Sequence, residues 1–216
     1  MSRSDTRRHF ATDLATTNKI LPGLWMQDKP ALQQGLSRDL ASIVSSLRTP
    51  VVLPFIRAFF LTMSSEWSRI EALRLDKYLY LIRQYLNASF TFLSRNKWKK
   101  SLLEQWNTVV EEIPLERQNM RIPNGLRYHV MDIWVDEMEK VEGEAWEKED
   151  RRETLETLVL PVEKMAKDGK LKPLRNAAKE CLADDRLRAW RGQEVEVVEE
   201  AEEEDDSEAE WGGFAD

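Results

Sequence analysis

Apolar residues recur three or four positions apart along most of this 216-residue chain. The first clear stripe consists of Leu32, Leu36, Leu40, Ile43 and Leu47. Because residues at this spacing lie on one face of an α-helix, the stripe predicts an amphipathic helix. Six further stripes begin near Phe55, Leu75, Trp98, Val130, Leu155 and Leu171. No segment of any length alternates apolar and polar residues as a half-buried strand does, so the pattern predicts an all-α fold of about seven helices.

Prolines mark the ends of several predicted helices. Pro30 suits the first turn of a helix, where a missing N–H has no consequence. The pair Thr49-Pro50 predicts the end of that helix, and the next is predicted from about Pro54 to Trp67. Pro161 predicts an interruption of the sixth helix.

The third predicted helix, Ile70 to Leu86, carries two adjacent apolar stripes, one through Leu75 and Leu79 and one through Tyr78 and Leu81. An apolar arc this wide indicates a helix that packs on two sides and is therefore central. Helices of similar length joined by short turns predict an α-solenoid of HEAT or armadillo type. A compact orthogonal bundle is the alternative, because no clean repeat signature is visible in the sequence.

Charge is divided unevenly along the chain. The net charge is −7, but all 32 Lys and Arg residues precede Glu194, whereas 12 of the 39 acidic residues lie from Glu194 onward. That composition is typical of a disordered segment. We therefore predict a polar N-terminal segment at residues 1–20, a helical-repeat domain at residues 21–193 and a disordered acidic tail at residues 194–216. A basic body with an acidic tail favours partners of both signs.

Composition excludes several classes of protein. No stretch approaches the roughly 18 uninterrupted apolar residues of a membrane span, and the first residues lack the apolar run of a secretory signal. The expected location is therefore the cytosol or the nucleus. Cys181 is the single cysteine, so neither a disulfide within the chain nor a cysteine-based metal site can form. We expect Cys181 to be buried and inert.

Catalytic motifs are not found in the sequence. There is no glycine-rich phosphate loop, nucleophile elbow or metal-spaced set of His and Cys. His129 is interpreted as a packing or capping residue. Asp132 and Asp136 share a helix face and could bind a divalent ion, but a solvated acidic face is the preferred interpretation. We predict that the protein is not an enzyme and uses no metal, cofactor or small-molecule substrate.

Two basic clusters are candidate phosphate-binding sites. The first consists of Arg95, Lys97, Lys99 and Lys100 around Trp98, at a predicted helix–helix junction, and the second of Lys167, Lys170 and Lys172. Lysines and arginines gathered at a turn can bind phosphates without sequence preference. An ordinary solvated connector is the alternative for either cluster.

Four charges interrupt the apolar third helix: Arg74, Asp76, Lys77 and Arg83. Arg74 lies three residues after Glu71 and can pair with it. Asp76 and Arg83 are too far apart to pair with each other on one helix, so each requires a partner on a neighbouring helix or another molecule. Pairing within the helical stack is the preferred interpretation. A surface read by RNA or protein, with Arg74, Lys77 and Arg83 as contacts, is the alternative.

Four segments together resemble the eukaryotic ribosomal RNA-processing protein 1 (Nop52-like) family. They are "GLWMQDKPALQQGLSRDLA", "EWSRIEALRLDKYLYLIRQYL", "IPNGLRYHVMDIWVDEMEKV" and "CLADDRL", and their order also matches. The most specific segment runs from Trp67 to Arg83. The resemblance covers roughly Phe10 to Trp190.

The resemblance implies a non-catalytic, helical assembly factor of the large ribosomal subunit, located in the nucleus and nucleolus. Its expected partners are those of an early precursor particle, namely other assembly factors, ribosomal proteins and precursor ribosomal RNA. The alternative function is a general helical-repeat adaptor without an RNA partner. No membrane association is expected.

Both ends of the chain raise separate expectations. In the family, a first pair of helices lies between two segments that correspond here to those around Asn18 and Trp25. These two residues are nearly adjacent in this sequence, so the first helical pair is shortened. A lost exon or a genuine truncation would explain it. At the other end, Trp211 and Phe214 follow the acidic run. They resemble a short docking segment for a basic partner, and a plain acidic tail is the alternative.

Overall fold

Helices make up the architecture of residues 26–193, which are the residues described by this computed structural model. There are nine α-helices in this range: α1 (Pro30–Ser46), α2 (Thr49–Glu66), α3 (Leu75–Arg95), α4 (Lys100–Glu112), α5 (Asn124–Asp132), α6 (Trp134–Glu142), α7 (Arg152–Asp168), α8 (Lys172–Leu182) and α9 (Asp185–Trp190). Short 3-10 helices span Trp67–Arg69, Ala72–Arg74, Gly143–Glu147 and Glu149–Arg151. Residues 26–193 contain no strand, so the all-α prediction is confirmed.

The described range contains nine helices rather than about seven because the apolar pattern does not reveal every break. The fifth predicted helix is two helices, and Ile133 ends α5 and precedes α6 with φ of −93° and ψ of 0°. Ile133 is itself buried, so the apolar stripe continues across the break. The ninth helix, α9, is a single short segment that ends at Trp190, where the array was predicted to end.

Prolines are accommodated differently from the predictions. The second helix begins at Thr49 rather than near Pro54, because Pro50 lies in its first turn, where no N–H is needed. Pro161 does not interrupt α7. The missing N–H of Pro161 leaves the carbonyl of Thr157 without its helical partner. The side chain of Asn107 on α4 donates to this carbonyl at 2.7 Å.

The helices form two rows in which equivalent members run parallel. One row contains α1, α3 and the α5–α6 pair, and the other contains α2, α4 and α7. Along α3, residues Leu79, Arg83 and Ser94 contact His129, Asp136 and Glu142 in the same order. Stacked helical pairs with parallel equivalents are the arrangement of an α-solenoid, so the predicted HEAT/armadillo-like array is confirmed.

Residues that contact each other across stacked helices are separated by similar numbers of positions in the sequence. Most side-chain hydrogen bonds between helices connect residues 42 to 55 positions apart. The offset corresponds to one helical pair with its turns. Arg191 departs from it, because it pairs with Glu156 and Glu163 at offsets of 35 and 28. The segment after α8 therefore folds back on α7 and covers the last helical pair.

Aromatic rings connect the two rows through one apolar core. Phe59 on α2 stacks on Tyr85 of α3, with ring centroids 3.7 Å apart. Phe90, Trp106 and Trp134, from α3, α4 and α6, contact one another with centroids 5.2 to 5.5 Å apart. The prediction that the third helix is central is confirmed by the packing of α3 on α1, α5 and α6.

Candidate partner-binding surfaces

The turn between α3 and α4 presents the first basic cluster. Arg95, Lys97, Lys99 and Lys100 are all exposed on it. Lys97 and Trp98 have φ of 57° and 52°, a left-handed conformation that is uncommon outside glycine. This turn is called the basic junction below.

The basic junction is held in place by buried contacts. The Trp98 indole is buried, and its Nε1 donates to Glu142 Oε1 at 2.9 Å. Ser94 Oγ donates to the same oxygen at 2.6 Å. Lys100 forms an exposed ion pair with Glu153 at 3.1 Å, whereas Arg95, Lys97 and Lys99 form no ion pair with any residue of the range 26–193. Three cations without an ion pair among these residues therefore project from a turn that Ser94 and Trp98 anchor to Glu142.

A groove of mixed polar and apolar lining continues from the basic junction between α1 and α3. It has a volume of about 490 Å³. Arg38 and Arg95 line it together with Ser, Thr, Asn and Gln side chains, and its apolar lining comes from Ala41, Val44, Leu47, Ala88 and Phe92. No acidic side chain lines it. Arg38 was not predicted as part of this surface, although a signal exists in the sequence: residues 40–65 and 77–103 contain no Asp or Glu.

The second basic cluster lies at the other end of the stack. Lys167, Lys170 and Lys172 are exposed at the turn between α7 and α8. This turn is attached to the segment that follows α4 by a hydrogen bond from the Lys170 N–H to the Arg117 carbonyl at 3.1 Å. Lys100 lies at the opposite end of α4, and a helix of 13 residues is about 20 Å long. The structure therefore does not bring the two clusters together.

The charges at the start of α3 are engaged within the molecule. Arg74 pairs with Glu71 at 3.3 Å, as predicted. Lys77 is buried and donates to the Gln27 carbonyl at 2.9 Å. Arg83 pairs with Asp136 at 2.5 Å on the neighbouring helix. A partner that bound these three residues would have to replace these contacts.

Asp136 belongs to a network of ion pairs that connects α3, α6 and α9. Arg186 contacts Asp136, Asp184 and Glu139 at 2.6 to 2.9 Å. Burial alone would raise the pKa of Asp136, but hydrogen bonds and charge from Arg186 and Arg83 outweigh this and lower it. The expectation of a solvated acidic face is therefore wrong at Asp136, because neighbouring helices supply cations that the local sequence does not show.

A second groove lies between α3, α5 and α8, and we call it the α5 groove. It has a volume of about 570 Å³. Its apolar lining comes from Trp67, Leu75, Leu79, Met131, Val135, Ala177 and Cys181, and its polar lining from Tyr128, His129, Asp132, Glu180 and Asp184. Three of the four segments that carry the family resemblance meet here. The local sequence gives no signal for this meeting, because the segments lie about 50 residues apart.

His129 is a packing residue of the α5 groove, as predicted. Its Nε2 lies 2.9 Å from the Leu79 carbonyl oxygen, which can only accept, so Nε2 carries the proton. Burial lowers the pKa of His129, although the hydrogen bond to Leu79 and the charge of Asp132 act in the opposite direction. The ring is therefore neutral at pH 7.

Cys181 lines the same groove and is mostly buried. Burial raises the pKa of its thiol to about 12, and the charges of Asp184 and Asp132 add to the effect. The thiolate is the reactive form, so Cys181 is inert at neutral pH, as expected.

Some expectations from the sequence concern residues that the structure does not describe. Trp211, Phe214, the acidic tail and the shortened N-terminal pair lie outside the described residues. Within residues 26–193, no group of three or more His, Cys, Asp and Glu side chains is placed to hold a metal ion. In the same range, no helix is long and apolar enough to cross a membrane.

Comparison with known proteins identifies one family. Residues 14–212 match the model of the family described as nucleolar protein, Nop52. The human ribosomal RNA processing protein 1 homolog B is 40% identical over 130 residues, which are 58% of this chain and 17% of that protein. The mouse homolog B is 36% identical over 149 residues, or 66% and 20%. The Caenorhabditis elegans homolog is 29% identical over 142 residues, or 63% and 35%. This chain therefore spans between about a sixth and a third of the length of these relatives.

Proposed function

This chain belongs to the Nop52 family of nucleolar proteins, and from that premise we propose that it acts in ribosomal RNA processing during ribosome biogenesis. The observation that carries the proposal is the family match, which extends over residues 14–212. Relatives from human, mouse and nematode are named as ribosomal RNA processing proteins. The nuclear and nucleolar localisation predicted from the sequence is supported by the description of the family as nucleolar.

More specifically, we propose a non-catalytic assembly factor of the large ribosomal subunit that acts within early precursor particles. Its helical-repeat domain, residues 21–193, serves as a scaffold for other assembly factors, ribosomal proteins and precursor ribosomal RNA. A stacked array supports such a role because it offers extended surfaces of different character on one rigid body. The groove between α1 and α3, which carries Arg38 and Arg95, and the acid-rimmed α5 groove are two such surfaces.

The basic junction is the proposed RNA contact. Arg95, Lys97 and Lys99 are exposed cations without an ion pair among the described residues, and Arg38 adds a fourth along the adjoining groove. Hydroxyl and amide side chains such as Ser42, Asn87 and Thr91 line this groove, and such groups commonly contact phosphate and sugar oxygens. Lys167, Lys170 and Lys172 form a second, separate candidate contact.

Affinity purification tests the proposed function. The tagged full chain is expressed in cells, purified at moderate salt, and its associated RNA and proteins are identified. Recovery of precursor RNA of the large subunit, with internal spacer still attached, is the expected result. Recovery of proteins without precursor RNA would contradict it and would favour the helical-repeat adaptor. Nuclease or nucleotide-hydrolysing activity of the pure protein would contradict the non-catalytic role.

A further inference from the structure

We propose that the α5 groove binds a basic peptide segment of a partner protein, anchored by one large apolar side chain. This inference deepens the proposed scaffold role by naming the class of partner that one of its surfaces binds, and it is argued from the lining of the groove.

The floor of the α5 groove can accept an apolar anchor. The Trp67 indole lies directly on the backbone of α5 at Gly125, where an added Cβ would come within 2.8 Å of its ring. Leu75 and Leu79 from α3 continue this floor. A volume of about 570 Å³ accommodates one or two large side chains rather than a folded domain.

Apolar side chains are also exposed on the groove and on the turn that precedes one of its lining residues. Tyr128 lines the groove with 36% of its surface accessible. Leu73, two residues before Leu75, is 98% exposed, which is unusual for a leucine on a structured turn. Exposed apolar residues around a concave site are typical of surfaces that bind another protein.

The charges of the groove select the sign of the ligand. Asp132 and Glu180 are exposed, and neither forms an ion pair with any residue of the range 26–193. Asp184 is neutralised by Arg186, His129 is neutral, and no Lys or Arg lines the groove. Two unneutralised carboxylates remain beside an apolar floor, and they favour Lys or Arg next to the anchor.

The same charges argue against nucleic acid in this groove. Phosphates would lie beside two carboxylates without a cation to offset the repulsion. The basic junction and the α5 groove are therefore complementary to different classes of partner, and the groove is complementary to a cationic protein segment.

Selection from a peptide library tests the inference. A library of random 12-residue peptides is selected against the full 216-residue chain, and the recovered peptides are synthesised with a fluorescent label. We expect recovered peptides to carry Lys or Arg within a few positions of Leu, Phe or Trp. Affinity should fall about tenfold or more for Asp132→Lys combined with Glu180→Lys, because two attractive charges become repulsive. Versions of the peptides with Glu in place of Lys and Arg should not bind the wild type.

Asp39→Lys combined with Glu104→Lys is the matched control. These residues are exposed, lie outside the α5 groove and change the net charge equally. Asp132 and Glu180 lie in the last turns of α5 and α8, where a cation is favourable, so the groove variant should melt no lower than the control. Equal affinity for the two variants would overturn the proposal.

Cys181 gives an independent readout of location. It is the single cysteine of the chain and lines the groove. The raised pKa of its thiol keeps the reaction with a disulfide reagent slow even at pH 9, so labelling is followed over hours, and a bound peptide should slow it further. Unchanged reactivity at saturating peptide would place binding elsewhere and overturn the proposal.

Other outcomes would also overturn it. One is selection of acidic peptides. Another is displacement of the peptide by a 20-nucleotide RNA, if that RNA also binds the groove variant more weakly than the wild type. A third is a wild-type dimer that the substitutions Asp132→Lys and Glu180→Lys convert to monomer. The last would identify a second copy of this chain as the occupant. Recovery of precursor RNA with the purified protein tests the proposed function separately, so either can fail without the other.

Discussion

Close approach of Trp67 to the backbone of α5 makes Gly125 a tightly constrained position of the α5 groove. Gly125 lies in the first turn of α5, where most residues would be tolerated on propensity alone. The indole of Trp67 occupies the place of a Cβ, so the requirement for glycine comes from packing and not from the helix.

Substitution of Gly125 measures this constraint. Gly125→Ala should lower the free energy of unfolding by about 1–3 kcal/mol, because Trp67 must move away. Urea unfolding measures the change. Gly35→Ala is the matched control, since Gly35 lies inside α1 with nothing within 4 Å of the added Cβ. The control should be stabilised by about 0.5–1 kcal/mol. Equal effects of the two substitutions would refute the packing interpretation.

At the scale of the helix, Pro161 shows how a neighbour can compensate for a broken backbone ladder. The proline leaves the Thr157 carbonyl without its helical N–H, and Asn107 on α4 donates to that carbonyl instead. The two helices are thereby coupled through one side chain.

A double-mutant cycle tests this coupling. Asn107→Leu should cost about 1–3 kcal/mol of stability in the wild type, because a partly buried carbonyl loses its donor. In the Pro161→Ala background, the restored N–H can bond to Thr157, so the same substitution should cost less. The two costs come from thermal or urea unfolding of four proteins. Additive effects would show that Asn107 does not replace the missing helical hydrogen bond.

The basic junction gives a prediction for binding. Arg95→Glu, Lys97→Glu and Lys99→Glu together should weaken RNA binding strongly and reduce its dependence on salt, because about three phosphate contacts are lost. The melting temperature should change little, since these exposed cations form no ion pair within residues 26–193. Binding is measured with labelled RNA over a series of salt concentrations.

Two further triple variants show whether the loss of RNA binding is specific to the basic junction. Arg121→Glu, Lys148→Glu and Lys179→Glu change equally exposed residues elsewhere and should bind RNA nearly as the wild type does. Lys167→Glu, Lys170→Glu and Lys172→Glu test the second cluster separately. If the junction variant and the Arg121 variant lose the same affinity, general charge and not the basic junction binds RNA.

At the scale of the whole molecule, the ionisable groups that connect the helices should make the free energy of unfolding decrease as the pH falls. The pKa of His129 is lowered by burial, the pKa of Asp184 is lowered by its hydrogen bond to Arg186, and the pKa of Asp136 is lowered by Arg186 and Arg83. A lowered folded pKa means that the unfolded state binds more protons, so each group contributes stability that is lost as pH falls.

The melting temperature should therefore fall in two stages on acidification. The first stage begins below about pH 6.5, the ordinary pKa of His, and the second below about pH 4, the ordinary pKa of Asp. Arg186→Met should lower stability at pH 7 and flatten the second stage, whereas His129→Gln should flatten the first. Calorimetry from pH 8 to pH 3 measures both stages. A melting temperature that rises on acidification would contradict the assignment.

Much of the fold could be predicted from local pattern. The start of α1 at Pro30, the central position of α3 and the end of the array at Trp190 agree with the sequence analysis. The break at Ile133 could not be predicted, because a buried residue continues the apolar stripe while the backbone hydrogen-bond ladder is interrupted. An apolar stripe records which face is buried and not whether the helix is continuous.

The candidate surfaces were predicted unevenly. The basic junction was predicted because its four cations are neighbours in the sequence, and the structure places them on one exposed turn. The α5 groove was not predicted, since Trp67, Gly125 and Glu180 come from three segments far apart in the chain. The role of Asp136 was misjudged for the same reason, because Arg83 and Arg186 lie 53 and 50 residues away.

The sequence by itself determined the all-α class, the division of charge and the family. These properties are local or additive, because helix periodicity needs only residues three or four apart and net charge needs no arrangement at all. Only the tertiary structure decided which charges are paired and which faces form grooves. The pairs and grooves connect residues about 50 positions apart, and such distant residues become neighbours only when one helical pair stacks on the next.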